Sequence, residues 1–455
     1  MTLSVLLAVF AGCSSQTEKF SEHLKQGKQY FDSGKYKKAE IELRNAVQLK
    51  PEHAGARYHL GETYLKQGKV QHAFQAFLKA VLLDPEHIPA RLRTASFYLG
   101  GKRLEEARQA CEAILEQDAD HTQALLLYSR SLALGQDFQK ALQFAERAIQ
   151  SDPQNVEAKL LLGQCYAALD KNDEAEKAFL QAVELSKDSP VARYQLASHY
   201  NRISRPAKVE DTLLGIIAHF PQDPWHNVSL ARFYLKQGQE ESAQKQLRTA
   251  LEKSPQNPEL YALMANFQIK QGRSKQAEDF LTNAVQRIPD SVKPRINLGG
   301  FYLATNQYDR ALEQFDQASQ DFPEKLSPLR GKAQVYYETG ETEKASKLLE
   351  QVRNIEASDT FARILQGKIR LKKRQFAEAR NLFQQVIQNQ PNYAEAHFLN
   401  ALAHFGLGQD KQGRASLENA LEHAPDHVLA NLMLSESLLR EKELDQALDY
   451  CQKAL

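Results

Sequence analysis

Residues 54–87 read AGARYHLGETYLKQGKVQHAFQAFLKAVLLDPEH, and this pattern of 34 residues returns along almost the whole chain. With the first repeat starting at Phe20, the eighth position is small in all thirteen repeats, and the twentieth is alanine except at Val209 and Gly413. No insertion or deletion interrupts the pattern between Phe20 and His427. A fixed period of this length predicts a stacked array in which each repeat buries its apolar face against its neighbours.

Each repeat has the pattern of a helical hairpin, because apolar residues recur at helical spacing on both sides of a central break. The break falls at position fifteen, where glycine can take the left-handed conformation that ends a helix. Glycine occupies this position in six repeats, at Gly34, Gly68, Gly238, Gly272, Gly340 and Gly408. Asp170 and Asn306 are tolerable substitutes there. A second break carries a proline in most repeats, which ends the preceding helix. Small residues at positions eight and twenty allow the two helices to cross closely.

These features together resemble the tetratricopeptide repeat, a helical hairpin of this length. Position eleven is tyrosine in eight repeats, and position twenty-four is leucine or phenylalanine in most of them. The resemblance covers residues 20–455 and implies an all-α, right-handed superhelical solenoid. We expect residues 1–19 to form a lipoprotein-like signal and linker, residues 20–427 to form twelve complete repeats, and residues 428–455 to form a shortened thirteenth repeat.

The charge balance excludes recruitment by a global electrostatic field. The formal net charge is +1 over 455 residues, so nothing in the composition attracts nucleic acid or an anionic membrane to the chain as a whole. Any electrostatic effect must therefore be local, and we expect no nucleic-acid partner. No apolar run approaches the roughly 20 residues of a membrane-spanning helix.

The N-terminus has the pattern of an export signal. Leu3–Ala11 is a short apolar run, and Phe10 to Cys13 reads FAGC, which is similar to the lipobox of bacterial lipoproteins. That resemblance implies a lipid on Cys13, with Ser14 and Ser15 permitting sorting to the outer membrane. We therefore expect a bacterial cell-envelope protein on the periplasmic side, held to the membrane by its lipid anchor only. The Lys or Arg expected directly after Met1 is absent. One alternative is therefore a mis-assigned or truncated start that removed a basic segment and leaves the lipoprotein prediction intact, and the other is a cytoplasmic protein with a chance apolar N-terminus.

Motifs that carry chemistry are absent from the sequence. It contains no glycine-rich phosphate loop, no Cys-x-x-Cys pair and no His-Glu-x-x-His. We therefore predict no catalysis, no cofactor and no metal. Four histidines share position thirty-four of their repeats, which indicates a role in the turn; they are His53, His87, His121 and His427.

A candidate partner-binding site lies in the sixth to eighth repeats. In tetratricopeptide arrays the first helices line the concave face, with positions two, five, nine, twelve and thirteen pointing inward. Positions nine and thirteen here give four basic residues, Arg202, Arg232, Lys236 and Lys270. Tyr194 and the only tryptophan, Trp225, stand beside them, and aromatic residues with arginine are typical of binding hot spots. The alternative is an ordinary solvated face, with Trp225 covering the adjacent proline turn.

The sequence thus predicts a non-catalytic interaction scaffold with a protein or peptide ligand in its groove; an anionic polymer is a second partner class. Fold and anchor together resemble bacterial lipoproteins of protein-sorting (PEP-CTERM) and exopolysaccharide-secretion systems. A cytosolic adaptor or co-chaperone, or the binding region of a larger enzyme that continues past Leu455, are the alternatives.

Two regions are expected to be weak. We expect the sixth repeat, with Val209 and Pro206, and the twelfth, with Gly413, to open before the others. We also expect the last repeat to leave part of its apolar surface in water, among Leu432, Leu434, Leu438, Leu439 and Leu448.

Overall fold

The computed structural model describes the backbone of residues 3–454 and the side chains of residues 16–454. Within this range, all regular structure is helical, and twenty-six helices pair into thirteen hairpins. The predicted all-α fold is confirmed. The chain divides into an N-terminal unit, Met1–Leu230, and a C-terminal unit, Ala231–Leu455.

The N-terminal unit contains helices α1 to α12 and the first part of α13. Their bounds are Leu3–Asp32 (α1), Tyr36–Leu49 (α2), Ala54–Lys66 (α3), Val70–Leu83 (α4), Ile88–Gly100 (α5), Leu104–Leu115 (α6), Thr122–Leu134 (α7), Phe138–Ser151 (α8), Val156–Ala168 (α9), Asn172–Leu185 (α10), Val191–Arg202 (α11), Pro206–His219 (α12) and Pro224–Lys236 (α13).

The C-terminal unit contains the rest of α13 and helices α14 to α26. Their bounds are Glu240–Lys253 (α14), Pro258–Lys270 (α15), Ser274–Arg287 (α16), Val292–Ala304 (α17), Tyr308–Asp321 (α18), Ser327–Glu338 (α19), Thr342–Ile355 (α20), Thr360–Lys372 (α21), Phe376–Asn389 (α22), Ala394–Gly406 (α23), Asp410–His423 (α24), Val428–Arg440 (α25) and Leu444–Ala454 (α26). In both units, the helices other than α13 pack mainly against the helices before and after them.

The turn inside every hairpin uses one left-handed residue. Position fifteen has a positive φ in all thirteen repeats, and only six of these residues are glycine. The others are Lys102, Gln136, Asp170, Ser204, Asn306, Arg374 and Lys442. In the second repeat, the backbone amide of Lys69 donates a hydrogen bond to the carbonyl oxygen of Tyr64, which the end of α3 would otherwise leave without a partner. The predicted break is confirmed, and it also tolerates residues that ordinarily avoid this conformation.

The turn between hairpins is closed by side-chain caps. The imidazole Nδ1 of His53, His87, His121 and His427 accepts a hydrogen bond from the backbone amide three residues later, at distances of 3.0, 3.2, 3.3 and 3.2 Å. Asn155 and Asp359 cap their helices in the same way. These histidines are therefore helix N-caps, which confirms the turn role that their shared position predicts.

The core of each hairpin lies where its two helices cross. Ten of the thirteen residues at position twenty are alanines with no solvent exposure. In the second repeat, a Cβ on Gly61 would lie 2.6 Å from the ring of Phe77, so the glycine leaves the space that the ring fills.

The N-terminal helix passes through the expected boundary at residue 19. Helix α1 runs from Leu3 to Asp32, so the segment before Phe20 is continuous with the first repeat. Cys13 belongs to this helix but lies outside the residues whose side chains are described, and its lipidation stays a prediction. Among the described residues, no helix combines the length and the apolar character that a membrane crossing needs.

The structure bears on two of the expected weak points. Pro206 is the first residue of α12, a position where proline's missing amide is not needed. In the last repeat, Leu434 and Leu438 are buried and the other three leucines of the expected group face water, so the expectation of partly exposed apolar surface is confirmed. The exposed members of the expected group are Leu432, Leu439 and Leu448.

Candidate partner-binding surface

The exposed face of the first helices is formed by positions two, nine and thirteen. Position five, which we expected to face the groove, is largely covered. Leu92, Leu126 and Val228 at this position are at most 9% exposed. The apolar character of position five therefore reflects packing between repeats, and the surface available to a partner is more polar than the sequence pattern indicates.

The aromatic part of the candidate site lies in the N-terminal unit. Trp225 begins the exposed face of α13 and keeps 40% of its surface in solvent. Val191, at the same position of the preceding repeat, is 54% exposed. In the next two repeats the corresponding residues, Glu259 and Lys293, form a salt bridge of 2.5 Å, so side chains at this position reach from one repeat to the next. Trp225 and Val191 are thus exposed apolar residues at the same position of two consecutive repeats.

A hydrogen-bonded chain lies under Trp225. The hydroxyl of Tyr194 is 2.8 Å from Nδ1 of His226 and 3.2 Å from Oγ of Ser229, and that Oγ donates to the carbonyl oxygen of Trp225 at 3.0 Å. When Nδ1–H of His226 donates to the hydroxyl of Tyr194, that hydroxyl can donate to Oγ of Ser229. The hydroxyls of Tyr194 and Ser229 then each donate one hydrogen bond. The chain ties α11 to the backbone of the residue that carries the exposed indole.

The chain is shielded from water on its inner side. His226 is 6% exposed, and its ring lies 5.8 Å from the ring of Phe220. Its Nε2 is 3.8 Å from a carboxylate oxygen of Asp223. Burial raises the pKa of Tyr194, so its hydroxyl stays protonated and able to donate.

Arg202 is not a free cation. Its Nη1 lies 3.3 Å from a carboxylate oxygen of Asp170, and its Nη2 donates to Asn172 at 2.7 Å. Both partners belong to the preceding repeat, so the sequence spacing did not reveal them. An exposed pair of this kind contributes about 1 kcal/mol or less to stability, but the carboxylate of Asp170 offsets part of the positive charge that Arg202 offers to a partner.

The basic part of the candidate site lies in the C-terminal unit. Arg232, Lys236 and Lys270 are exposed, and none has an ion-pair partner among the residues that the structure describes. Leu235 and Ile269, next to two of them in sequence, are 38% and 43% exposed. This surface combines three cations with two aliphatic side chains.

The six predicted partner-binding residues therefore fall into two groups. Tyr194, Arg202 and Trp225 belong to the N-terminal unit, whereas Arg232, Lys236 and Lys270 belong to the C-terminal unit. Sequence reasoning missed His226 and Ser229. A signal for His226 was present, because position three is alanine in eight of thirteen repeats and histidine only in this one.

The described residues include neither a metal-binding cluster nor a reactive thiol at Cys111 or Cys165. No group of three or more His, Cys, Asp or Glu residues is placed there to hold a metal ion. Cys111 and Cys165 are fully buried free thiols. Burial raises the pKa of Cys111 to about 12 and that of Cys165 to about 11, so neither forms a reactive thiolate at neutral pH.

The fold and this surface define a helical-hairpin repeat protein built for contact with other molecules. Sequence models of the tetratricopeptide repeat match residues 65–130, 132–197, 210–267, 268–325, 303–369, 364–411 and 400–455, and a TPR repeat model matches residues 27–68. The chain belongs to the tetratricopeptide repeat family. Such repeats form protein-interaction scaffolds, which bind protein or peptide partners and are typically not catalytic.

Solved structures of the same family resemble the chain at low identity. A tetratricopeptide repeat protein from Parabacteroides merdae is 18% identical, covers 55% of this chain and 99% of its own length, and gives a TM-score of 0.46. Yeast Tom70 is 16% identical, covers 96% of this chain and 92% of its own length, and gives 0.44. PilF of Pseudomonas aeruginosa is 15% identical, covers 46% of this chain and 94% of its own length, and gives a TM-score of 0.39. These likenesses carry no inference about partners. No curated protein matches the chain.

Proposed function

We propose that this chain is a non-catalytic, lipid-anchored scaffold of a bacterial cell envelope, which holds a protein or peptide partner and assists assembly, sorting or exopolysaccharide secretion. The observation that carries the partner-binding part is Trp225. The indole is exposed, yet its backbone carbonyl accepts a hydrogen bond from Ser229 in the chain that starts at His226.

An exposed tryptophan is a favourable anchor for a partner. Hot spots are enriched in tryptophan, tyrosine and arginine, and they occupy the centre of an interface. The hydrogen-bonded chain fixes the backbone that carries the indole relative to α11. Val191, at the same position of the preceding repeat, is also exposed.

The anchor part of the proposal is supported by sequence alone. The segment FAGC ending at Cys13 follows a short apolar run, which is typical of lipoprotein signals. Growth with a labelled fatty acid should label the wild-type chain, and Cys13→Ser should abolish the label and release the protein from the membrane fraction. Labelling that survives this substitution would contradict the anchor.

The partner-binding part is tested with one variant and a matched control. Trp225→Ala should weaken binding of the partner captured from solubilised envelopes by about 30-fold, the equivalent of a hot spot of about 2 kcal/mol. Phe361→Ala is the control, because Phe361 is an aromatic residue at the same position of the eleventh repeat and is 37% exposed. It should change the affinity by less than about 3-fold. If Trp225→Ala and Phe361→Ala weakened binding equally, or if Trp225→Ala did not weaken it, Trp225 would not be the anchor.

A further inference from the structure

The first two repeats carry a basic hollow that the proposed function does not use. It has a volume of about 860 Å³ and lies where the turn before α2 meets the end of α3. Its lining includes five lysines, Lys35, Lys37, Lys38, Lys66 and Lys69, and we call this surface the basic hollow. All five are exposed.

The positive charge of the basic hollow is largely uncompensated. Its one carboxylate is Glu40, so five lysines against one acid leave a formal charge of +4. Glu40 is already engaged by Lys69, whose Nζ lies 2.6 Å from its Oε2. Lys35 and Lys37 have no carboxylate partner among the described residues. The nearest acids along the chain outside the lining are Asp32, at the end of α1, and Glu42, whose carboxylate lies 2.6 Å from Nδ1 of His23. Counting both still leaves an excess of two positive charges.

This charge is not a property of the repeat. Positions sixteen, eighteen and nineteen are all lysine only in the first repeat, at Lys35, Lys37 and Lys38. The corresponding residues of the tenth repeat are Glu341, Glu343 and Lys344. Because the whole chain carries a formal charge of only +1, the basic hollow is a local concentration.

Aliphatic side chains are exposed at the same place. Ile41 lines the basic hollow and is 60% exposed, and Val70, which follows Lys69, is 56% exposed. An exposed aliphatic residue among lysines is the pattern of a surface that meets lipid headgroups and inserts apolar groups between them. Stacking with nucleic acid bases is disfavoured, because Tyr36 is half-buried and packs 5.6 Å from the ring of Phe31.

We propose that the basic hollow docks the N-terminal unit onto an anionic lipid surface. The lining contains lysines and no arginine, which suits a diffuse field of headgroup charges better than two-point recognition of a single phosphate. This contact is separate from any lipid on Cys13, since it depends on residues of the folded repeats.

The test measures binding of the full-length chain to vesicles of phosphatidylcholine, with and without phosphatidylglycerol. The ratio of the two affinities is the readout, because the apolar N-terminal segment contributes equally to both. Lys35→Gln with Lys37→Gln should lower this ratio by about 30-fold, at about one kilocalorie for each lysine near an anionic surface. The effect should diminish as salt is raised.

Two further variants make the result specific. Arg273→Gln with Lys275→Gln removes the positive charges at the corresponding two positions of the eighth repeat. It should leave the ratio of the two vesicle affinities unchanged within about 2-fold. Ile41→Ser should weaken binding to anionic vesicles by a few-fold, since it removes the inserted side chain. Helicity should be unchanged in all three proteins.

Two outcomes would overturn the inference. Equal ratios for the Lys35 and Lys37 variant and for its eighth-repeat control would show that the basic hollow does not contact lipid. The second outcome is that a soluble anionic polysaccharide binds as tightly as vesicles of equal charge and that Ile41→Ser does not change vesicle binding. The basic hollow would then be a binding site for an anionic polymer and not for lipid.

Discussion

Repeats two and twelve build the same hairpin with the glycine on opposite helices. In repeat two the glycine is Gly61 on α3, and a Cβ there would lie 2.6 Å from the ring of Phe77 on α4. In repeat twelve the corresponding pair is Ala401 and Leu417, and the glycine is Gly413 on α24, where a Cβ would lie 2.6 Å from the ring of Phe405. In both hairpins the two helices approach closely and a glycine leaves space for an aromatic ring. The glycine lies on the first helix in repeat two and on the second helix in repeat twelve.

The comparison explains a pattern that runs through the chain. Wherever position eight is glycine, position twenty-four is phenylalanine or, once, leucine; wherever position eight is alanine or serine, position twenty-four is leucine or smaller. The pairs with phenylalanine are Gly61 with Phe77, Gly163 with Phe179, Gly299 with Phe315, and Gly367 with Phe383. Each ring fills the volume that the missing Cβ leaves, so a glycine with a phenylalanine occupies nearly the same summed volume as an alanine with a leucine.

The largest expected effect comes from adding a Cβ at Gly61. Gly61→Ala should lower the free energy of unfolding of the second repeat by about 2 kcal/mol, because Phe77 is fully buried and cannot move away. Phe77→Leu alone should cost about 1–2 kcal/mol through the cavity it leaves. The double variant reproduces the size pairing of Ala401 and Leu417.

A double-mutant cycle measures whether the two sites compensate. The loss in the double variant should be smaller than the sum of the single losses by about 1 kcal/mol or more. Hydrogen exchange of amides in α3 and α4 reports this locally, which matters because contacts in an array are between neighbours. Additive losses would show that glycine at position eight is not there to admit the ring.

A second difference between the repeats is acid sensitivity. Position six is His59 in repeat two and the buried Leu399 in repeat twelve. Burial and the neighbouring charges of Lys28 and His87 lower the pKa of His59 to about 4. Because the unfolded imidazole takes up its proton near pH 6.5, the unfolded state binds more protons between these values, and stability falls as the pH is lowered through this range.

After correction for intrinsic exchange, we expect the hydrogen-exchange protection of amides in α3 to decrease as the pH is lowered from 6.5 to 4.5. Because His59 is only half-buried, this decrease should be smaller than the loss of protection caused by Gly61→Ala. His59→Leu should remove most of this decrease. The caps at His53 and His87 remain in both proteins, so the difference between them isolates His59. An identical pH profile for the two proteins would show that His59 titrates alike in both states.

The smallest effect is expected at Gly413. Alanine in a helix interior is favoured over glycine by about 1 kcal/mol, but a Cβ here pushes on Phe405. Phe405 is half-buried and has room to shift, so Gly413→Ala should change the stability of repeat twelve by less than about 0.5 kcal/mol. Thermal and chemical denaturation together measure this; a loss as large as at Gly61 would contradict the contrast between the two repeats.

This contrast also revises one expectation from the sequence. Gly413 looked like a flaw in its helix, and helix propensity alone predicts that repeat twelve opens early. In the structure the glycine is matched by Phe405, and the helix α24 is continuous from Asp410 to His423. Local propensity could not show this, because the ring that fills the space is on the other helix.

The candidate surface was only partly predictable. Arg202, Trp225 and Tyr194 could be chosen from repeat position and residue type, but the pairing of Arg202 with Asp170 depends on how consecutive repeats pack. The hydrogen-bonded chain through His226 likewise joins residues more than thirty positions apart. Such contacts follow from three-dimensional proximity, which the spacing of one repeat does not contain.

The sequence by itself determined the number of hairpins, their register and the small residues at their crossings, because the helical period is local and every repeat must bury the same face against its neighbours. The tertiary structure alone decided which glycine faces which ring, which lysines stay unpaired beside Ile41, and how the backbone of Trp225 is tied to α11. These depend on the direction of each side chain across the gap between repeats, where a difference of one methyl group or one charge changes the partner.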